Sequence, residues 1–123
     1  MSRKNRVITN RSVFERLIDL RLREAKLLMD QIQDWDGAYY LAGYAVECAL
    51  KVRIIAQLSK LDYIPEKRYF EVGYSHSLND LREVAGLEDL MKSDSVVNSQ
   101  WDQISNWDEQ SRPRDSRMLH GGA

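Results

Sequence analysis

The sequence has one cysteine, Cys48, in 123 residues. A single thiol excludes an internal disulfide and a cysteine-based zinc site built on one chain. Because disulfide frameworks belong to oxidising compartments, we expect a reducing, cytoplasmic location. The sequence also gives almost no support to a metal or redox enzyme, so we expect no metal site and no cofactor.

Proline and glycine are scarce, with two and six residues, which is typical of helical proteins and disfavours a β-rich fold. Long apolar runs are also missing. The uncharged stretch at residues 37–46 has about half of the ~20 residues that cross a bilayer. The basic start is followed by Val-Ile-Thr-Asn at residues 7–10, where a secretory signal needs a longer apolar run. We therefore expect neither a membrane span nor export by that route.

The net charge is −1, but the two signs are unevenly distributed. Residues 1–26 carry eight Arg or Lys against three Asp or Glu, which gives +5, while residues 27–123 carry ten against sixteen, which gives −6. A basic end beside an acidic body can hold a phosphate backbone, or it can be a solvated helix face with a frayed terminus. We favour the second interpretation.

Residues 36–53 are the stretch around which the chain is organised. Their apolar side chains fall on nearly every side of a helical period, so this helix belongs at the centre of a fold. One stripe consists of small residues that let a neighbouring helix approach closely: Ala38, Ala42, Ala45 and Ala49. A second stripe carries Tyr40, Tyr44, Glu47 and Lys51, and the last two are spaced as a helical ion pair.

Capping signals predict where the first two helices begin. Residues 1–11 are a polar, basic lead-in, after which Ser12 and Glu15 have the form of a capping box. Helix one is expected to run to about Gln33. Helix two, capped by Asp34 or Asp36, is expected to run to about Lys60. Because only a few residues connect helix one to helix two, the two helices are predicted to be antiparallel neighbours.

The second half of the chain is predicted to add two helices and two short segments. Pro65 interrupts the connection, with one helical turn at residues 66–70. Helix three begins at residues 75–78 and ends at Gly86, and residues 87–91 form a separate short segment.

Helix four is capped by residues 93–95, and its apolar residues are expected to share one broad face: Val96, Val97, Trp101, Ile104 and Trp107. The sequence thus predicts one all-α domain over residues 12–107. Residues 108–123 form a polar tail with too little apolar material to bury a helix of useful length.

Three segments of this chain resemble the small prokaryotic HEPN-domain proteins. The first is Ala-Tyr-Tyr-Leu-Ala-Gly-Tyr-Ala-Val-Glu-Cys-Ala-Leu-Lys at residues 38–51, in helix two. The others are His-Ser-Leu-Asn-Asp-Leu at residues 76–81 and Trp-Asp-Glu-Gln-Ser-Arg at residues 107–112. The first segment is fairly specific, and the resemblance covers about residues 12–112.

The resemblance implies a four- or five-helix up-and-down bundle that usually dimerises. Many HEPN-domain proteins are RNA-binding ribonucleases in toxin–antitoxin and antiviral defence systems. Others lack the nuclease motif and are partners of minimal nucleotidyltransferases. Where relatives follow the arginine with tyrosine and another helix, this chain has Arg112 and Pro113 and stops at Ala123. The last helix of the family pattern is therefore expected to be missing or replaced.

The nuclease motif of the family is an arginine followed after four to six residues by histidine, and Arg114 with His120 fits this spacing. Such a histidine moves protons to or from the ribose 2′-hydroxyl or the leaving oxygen, while the arginine stabilises charge on the phosphate, without a metal. Residues six apart on a regular helix lie about 120° from each other, whereas Arg117 and His120 share a face. A chance pairing in a polar tail is therefore the interpretation that we favour.

Three residues of the predicted domain have both structural and functional interpretations. His76 precedes a helix, where a capping or packing role is favoured over a ligand role. Cys48 is most simply a small core residue. Glu47 must be paired or exposed, so it forms either an exposed surface pair with Lys51 or a polar spot at a dimer seam or cleft.

Two functions are consistent with these residues. The first is an RNA-binding component of a toxin–antitoxin or antiviral defence system, which would be a metal-independent endoribonuclease if Arg114 and His120 are catalytic. The second is a non-catalytic, homodimeric interaction module that binds a nucleotidyltransferase or an antitoxin protein. The candidate binding residues are Tyr40, Tyr44, Glu47, Lys51, Arg112 and Arg117, and the tail arginines would pair with RNA phosphates.

Overall fold

The structure is a computed structural model that describes residues 10–107, and each regular element in this range is a helix. It contains α1 (Arg11–Leu27), α2 (Trp35–Leu58), α3 (Lys67–Val72), α4 (Leu78–Val84), α5 (Glu88–Ser93) and α6 (Ser95–Ile104). The all-α prediction is confirmed for this part of the chain. The short helices α3 and α5 correspond to the helical turn and the separate segment expected there. Within residues 10–107, no helix is long and apolar enough to cross a membrane.

Helices α1 and α2 form an antiparallel hairpin. Near the start of α1, the ring centroid of Phe14 lies 5.9 Å from the Lys51 Nζ atom in the second half of α2. Beyond the end of α1, Leu28 lies beside Gly37 at the start of α2. Because the contacts move towards the start of α2 as the chain advances along α1, the two helix axes point in opposite directions. This confirms the prediction that helices one and two are antiparallel neighbours.

The hairpin reverses direction over two residues. A π-helical turn, Leu28–Ile32, extends α1, and Gln33 then adopts a left-handed conformation with φ 51° and ψ 40°. Its backbone N–H donates to the carbonyl of Leu28. The Asp34 carboxylate then accepts a hydrogen bond of 2.9 Å from the N–H of Gly37. Of the two aspartates that could cap α2, Asp34 is therefore the one that does so.

Helix α1 begins two residues earlier than the capping box predicted, because Asn10 and not Ser12 is its N-cap residue. The Asn10 side chain, not that of Ser12, accepts the hydrogen bond from the Val13 N–H, at 3.0 Å. The Ser12 hydroxyl donates to Asn10, and Glu15 pairs with Arg11. The prediction that Ser12 caps the helix was wrong because asparagine is at least as good an N-cap residue as serine, and here it stands two positions earlier.

Helix α4 packs against the second half of α2, and Leu78 and Leu81 of this helix, together with Ala85 directly after it, are at most 1% exposed. Two side chains of α2 also bind its end. Arg53 Nε and Gln57 Nε2 donate to the Ala85 carbonyl at 2.7 and 2.9 Å. These bonds satisfy a helix-terminal carbonyl that the helix leaves without a partner. They join α4 to α2 over about 30 residues of sequence.

Trp107 does not lie on the face of α6 where the sequence placed it. Helix α6 ends at Ile104, and the chain turns so that the indole ring packs against Gly43 of α2 and is 2% exposed. The indole N–H donates to the Tyr40 carbonyl at 3.0 Å. Val96, expected on the same face, is largely exposed. The prediction of one broad face was wrong because the helix ends before Trp107, and a glycine in α2 leaves the space that the indole fills.

We predict that Gly43→Ala destabilises the protein because its Cβ would overlap the Trp107 ring. Overpacking of this kind costs about 1–3 kcal/mol, although alanine regains about 1 kcal/mol of helix propensity. The coupling free energy between positions 43 and 107 can be measured by chemical denaturation of Gly43→Ala, Trp107→Leu and the double variant. The loss caused by Gly43→Ala should nearly disappear in the Trp107→Leu background. If Gly43→Ala lowers the free energy of unfolding equally with Trp107 present and in the Trp107→Leu background, the indole ring is not what excludes a Cβ atom at position 43.

Candidate functional site

A polar cluster lies inside the otherwise apolar surroundings of α2. Glu47 and Lys51 are 6% and 7% exposed, and they are the buried charged residues of the described chain. One carboxylate oxygen, Glu47 Oε2, lies 2.8 Å from Lys51 Nζ and 2.8 Å from His76 Nδ1. His76 comes from the segment that leads into α4, and about half of its side chain is exposed. The cluster therefore extends from the core to the surface.

Local helix geometry explains one of these contacts. Residues four apart lie on the same face of a helix, so Glu47 and Lys51 meet within α2. The His76 contact has no local cause, because 29 residues separate the two side chains. An ionised carboxylate only accepts hydrogen bonds, so we assign the donor N–H of the imidazole to Nδ1. Glu47 thus orients the His76 ring, as buried carboxylates orient histidines in many sites.

The burial of this pair separates the two interpretations of Glu47. A solvent-exposed ion pair would contribute little to stability. Here each side chain is about nine-tenths buried, and a charge in such a place must be paired and hydrogen-bonded. The structure therefore supports a polar site in the fold over an exposed surface pair.

Two neighbouring groups of α2 are held in their neutral forms. Burial, and to a lesser extent the Glu47 carboxylate, raises the pKa of the Cys48 thiol from 9.0 to about 11. Burial also raises the pKa of the Tyr44 hydroxyl, with Cys48 and Glu47 adding to the shift. A thiol that stays protonated and buried is a poor nucleophile and a poor metal ligand. This agrees with the interpretation of Cys48 as a core residue.

The two candidate tyrosines pack against other parts of the chain. The Tyr40 ring lies 5.9 Å from the Trp107 ring and meets the Tyr44 ring edge-on at 6.4 Å. The guanidinium of Arg21 lies over the Tyr44 ring at 5.7 Å. Both tyrosines thus line the second stripe of α2, as the sequence placed them. The other candidate residues lie outside the described part of the chain: Arg112, Arg114, Arg117 and His120.

The basic residues of α1 are largely neutralised by acidic residues one helical turn away. Three exposed ion pairs are present: Arg11–Glu15, Arg23–Asp19 and Lys26–Asp30. A fourth, partly buried pair joins Arg21 to Glu24. Exposed pairs add little stability, but each pair reduces the local positive potential. This arrangement supports the interpretation of helix one as a solvated face.

A cleft of about 160 Å³ opens beside the polar cluster, between α1, the second half of α2 and α3. Among residues 10–107, Lys51 is the one charged residue in its lining, and the other lining residues are aliphatic, aromatic or glycine: Phe14, Ile54, Ile55, Leu58, Tyr69, Phe70, Gly73 and Tyr74. The sequence did not predict this cleft or the contact of His76 with Glu47. The one signal for both was a charge pair in an apolar helix. Residues 10–107 contain no group of three or more acidic, histidine or cysteine side chains that could hold a metal.

We predict that Glu47→Leu destabilises the protein strongly, because it leaves the Lys51 ammonium buried without its carboxylate. Breaking a buried ion pair from one side costs about 3–5 kcal/mol, whereas replacing both partners by apolar residues is often close to neutral. The double variant Glu47→Leu/Lys51→Met should therefore be more stable than Glu47→Leu alone. Urea denaturation of both variants measures the difference.

Asp30→Leu provides a matched control for this experiment. Asp30 and Lys26 have the same spacing and the same 2.8 Å distance, but both side chains are exposed. Removing Asp30 should cost at most about 0.5–1 kcal/mol. Similar losses for Glu47→Leu and Asp30→Leu would contradict the inference that burial gives the first pair its importance.

Comparisons with known proteins do not place this chain in a family. No protein-family model matches it, and neither the curated proteins nor the solved structures contain a match.

Proposed function

We propose that this chain is a HEPN-like helical bundle that acts in the cytoplasm as a dimeric interaction module. Its setting would be a toxin–antitoxin or antiviral defence system, and its partner a nucleotidyltransferase or an antitoxin protein. The antiparallel α1–α2 hairpin, with α4 packed on α2 and Trp107 closing the core, is compatible with an up-and-down bundle. The motif at residues 38–51 supports the family assignment.

The observation that carries this proposal is an apolar surface at the hairpin turn. It consists of three large residues that remain 40–66% exposed, and we call it the hairpin surface: Met29, Ile32 and Trp35. A groove between α1 and α2 continues it, lined by small residues such as Ala25, Ala38 and Ala42. Clustered exposed apolar side chains mark interaction sites, and single ones do not.

A second copy of the chain fits the hairpin surface better than RNA does. A twofold dimer brings the same patch of each copy together, so an apolar patch can cover itself. The exposed Lys26–Asp30 pair borders the groove and offers both signs of charge to a copy of itself. Phosphate recognition would instead require a cluster of cations without neighbouring acids.

We predict that the protein is a dimer in solution and that Ile32→Lys/Trp35→Lys makes it a monomer. Both side chains are more than half exposed, so the substitutions should remove the contact without damaging the core. Light scattering during gel filtration gives the molar mass directly. Val96→Lys, at an equally exposed apolar residue on α6, is the control and should stay dimeric. A wild-type protein that remains a monomer at every concentration would defeat the proposal.

A second candidate function is an RNA-binding subunit with endoribonuclease activity. It is favoured by the spacing of Arg114 and His120, which matches the nuclease motif of the HEPN family. The tail arginines Arg112 and Arg117 would supply phosphate contacts, together with the basic residues at the start of the chain. The acid-paired face of α1 contributes little positive charge to this function.

If this second function holds, purified protein should cleave RNA in EDTA, because the Arg–His mechanism uses no metal. His120→Ala should then abolish the products, while RNA binding should weaken steeply as salt rises. Gel analysis of the products and a salt titration of binding measure the two effects. Identical products from the wild type and His120→Ala, or no products from either, would remove the nuclease function. Affinity independent of salt would remove the phosphate contacts.

A further inference from the structure

The cleft beside Lys51 combines two features that rarely occur together. Its walls are almost entirely aliphatic and aromatic, yet the Lys51 side chain in its lining is charged and about nine-tenths buried. The cleft lies between α1, α2 and α3, and none of its lining residues belongs to the hairpin surface. An inference about it therefore stands independently of the proposed dimer.

The Lys51 ammonium has more hydrogen-bonding capacity than the described chain uses. An ammonium group carries three donors. Within residues 10–107 its hydrogen-bond partner is the Glu47 carboxylate, and its Nζ atom also lies over the face of the Phe14 ring, 5.9 Å from the centroid. A cation–π contact satisfies charge but does not replace a hydrogen bond to oxygen. A ligand oxygen in the cleft would provide a further acceptor.

We propose that this cleft binds a small aromatic carboxylate. The carboxylate would accept a charge-assisted hydrogen bond from Lys51 Nζ, while the ring would fill the space between Phe14, Ile54 and Tyr69. Charge-assisted bonds are about twice as strong as neutral ones, and a buried donor strengthens them further.

Size and charge both point to this class of ligand. A closed apolar cavity of about 150 Å³ holds one benzene ring, which is close to the volume of the cleft. A carboxylate brings one negative charge to the cleft, whereas a phosphate group brings up to two, and the described lining offers a single ammonium. Apolar walls cannot compensate the second charge of a phosphate. A single carboxylate attached to one ring matches both the donor and the volume.

The cleft is open to solvent on the α3 side. Helix α3 contributes no buried residue, and Tyr69, Phe70 and Tyr74 are each at least 40% exposed. An ion pair between the exposed side chains of Arg68 and Glu83 connects α3 to α4. A ligand that covers these aromatic side chains would bury apolar area that is now in water, which favours binding.

Titration calorimetry of the full chain with 3-phenylpropionate tests the proposal, with 3-phenyl-1-propanol as the uncharged control. We expect the acid to bind saturably with one-to-one stoichiometry. The alcohol should bind with an affinity at least about tenfold lower than that of the acid. Leu58→Trp, which fills the cleft, should abolish binding of both compounds. Absence of saturable acid binding, or equal affinity for acid and alcohol, would overturn the proposal.

Substitutions in the polar cluster test the role assigned to Lys51. Lys51→Met should remove the preference for the acid over the alcohol. Because this variant leaves Glu47 without its cation and can fail to fold, a second test uses Glu47→Gln, whose amide oxygen, unlike a leucine side chain, can still accept a hydrogen bond from Lys51. It keeps the shape of the side chain and removes the competing negative charge, so the affinity for the acid should rise severalfold. An unchanged or weaker affinity in Glu47→Gln would contradict a carboxylate site at Lys51.

The same chemistry could be presented by a free aromatic acid or by the C-terminal phenylalanine of a partner chain. A short peptide that ends in phenylalanine, compared with its C-terminal amide, distinguishes these sources. If the peptide with a free terminus binds more tightly than 3-phenylpropionate, a protein terminus is the favoured ligand. If the free acid binds more tightly, the ligand is a small molecule. Binding of the amide as tightly as the free terminus would overturn the carboxylate site.

Discussion

Burial of α2 is the constraint on which the rest of the structure depends. This helix is apolar on nearly every side, so a single packing partner cannot remove it from water. Helix α1 covers one side, α4 a second, and Trp107 a third, where Gly43 leaves room for the indole ring. Each of these partners is also hydrogen-bonded or stacked on α2 at specific atoms, so the packing has one defined arrangement and not several similar ones.

The polar cluster follows from the same constraint. Because α2 is surrounded, the charges of Glu47 and Lys51 cannot reach bulk water and must be satisfied inside the fold. Lys51 does this within its own helix, while the second contact of Glu47 requires His76 from a distant segment. A buried charge pair contributes less to stability than apolar residues in the same place often would. This is the reason why we propose a binding role for the pair, at the cleft beside Lys51.

The surface divides into regions of different character. The exposed face of α1 is covered by alternating charges that pair with each other, whereas the hairpin turn and α3 expose large apolar and aromatic side chains. These two apolar regions are the hairpin surface and the rim of the cleft. A chain of this size buries only a moderate share of its apolar surface by folding alone, so contact with another molecule would add burial at either region.

The sequence by itself determined the elements that depend on local interactions. Helical periodicity, an aspartate cap at Asp34 or Asp36, the short connection between the first two helices and Gly86 predicted α1, α2 and α4 and the antiparallel hairpin, because their causes lie within a few residues. The spacing of Glu47 and Lys51 likewise predicted their ion pair. Tertiary structure alone decided that His76 completes this pair, that Trp107 leaves α6 for Gly43, and that a cleft forms beside Lys51. These features depend on contacts across about 30 to 65 residues of sequence, whose partners no local pattern specifies.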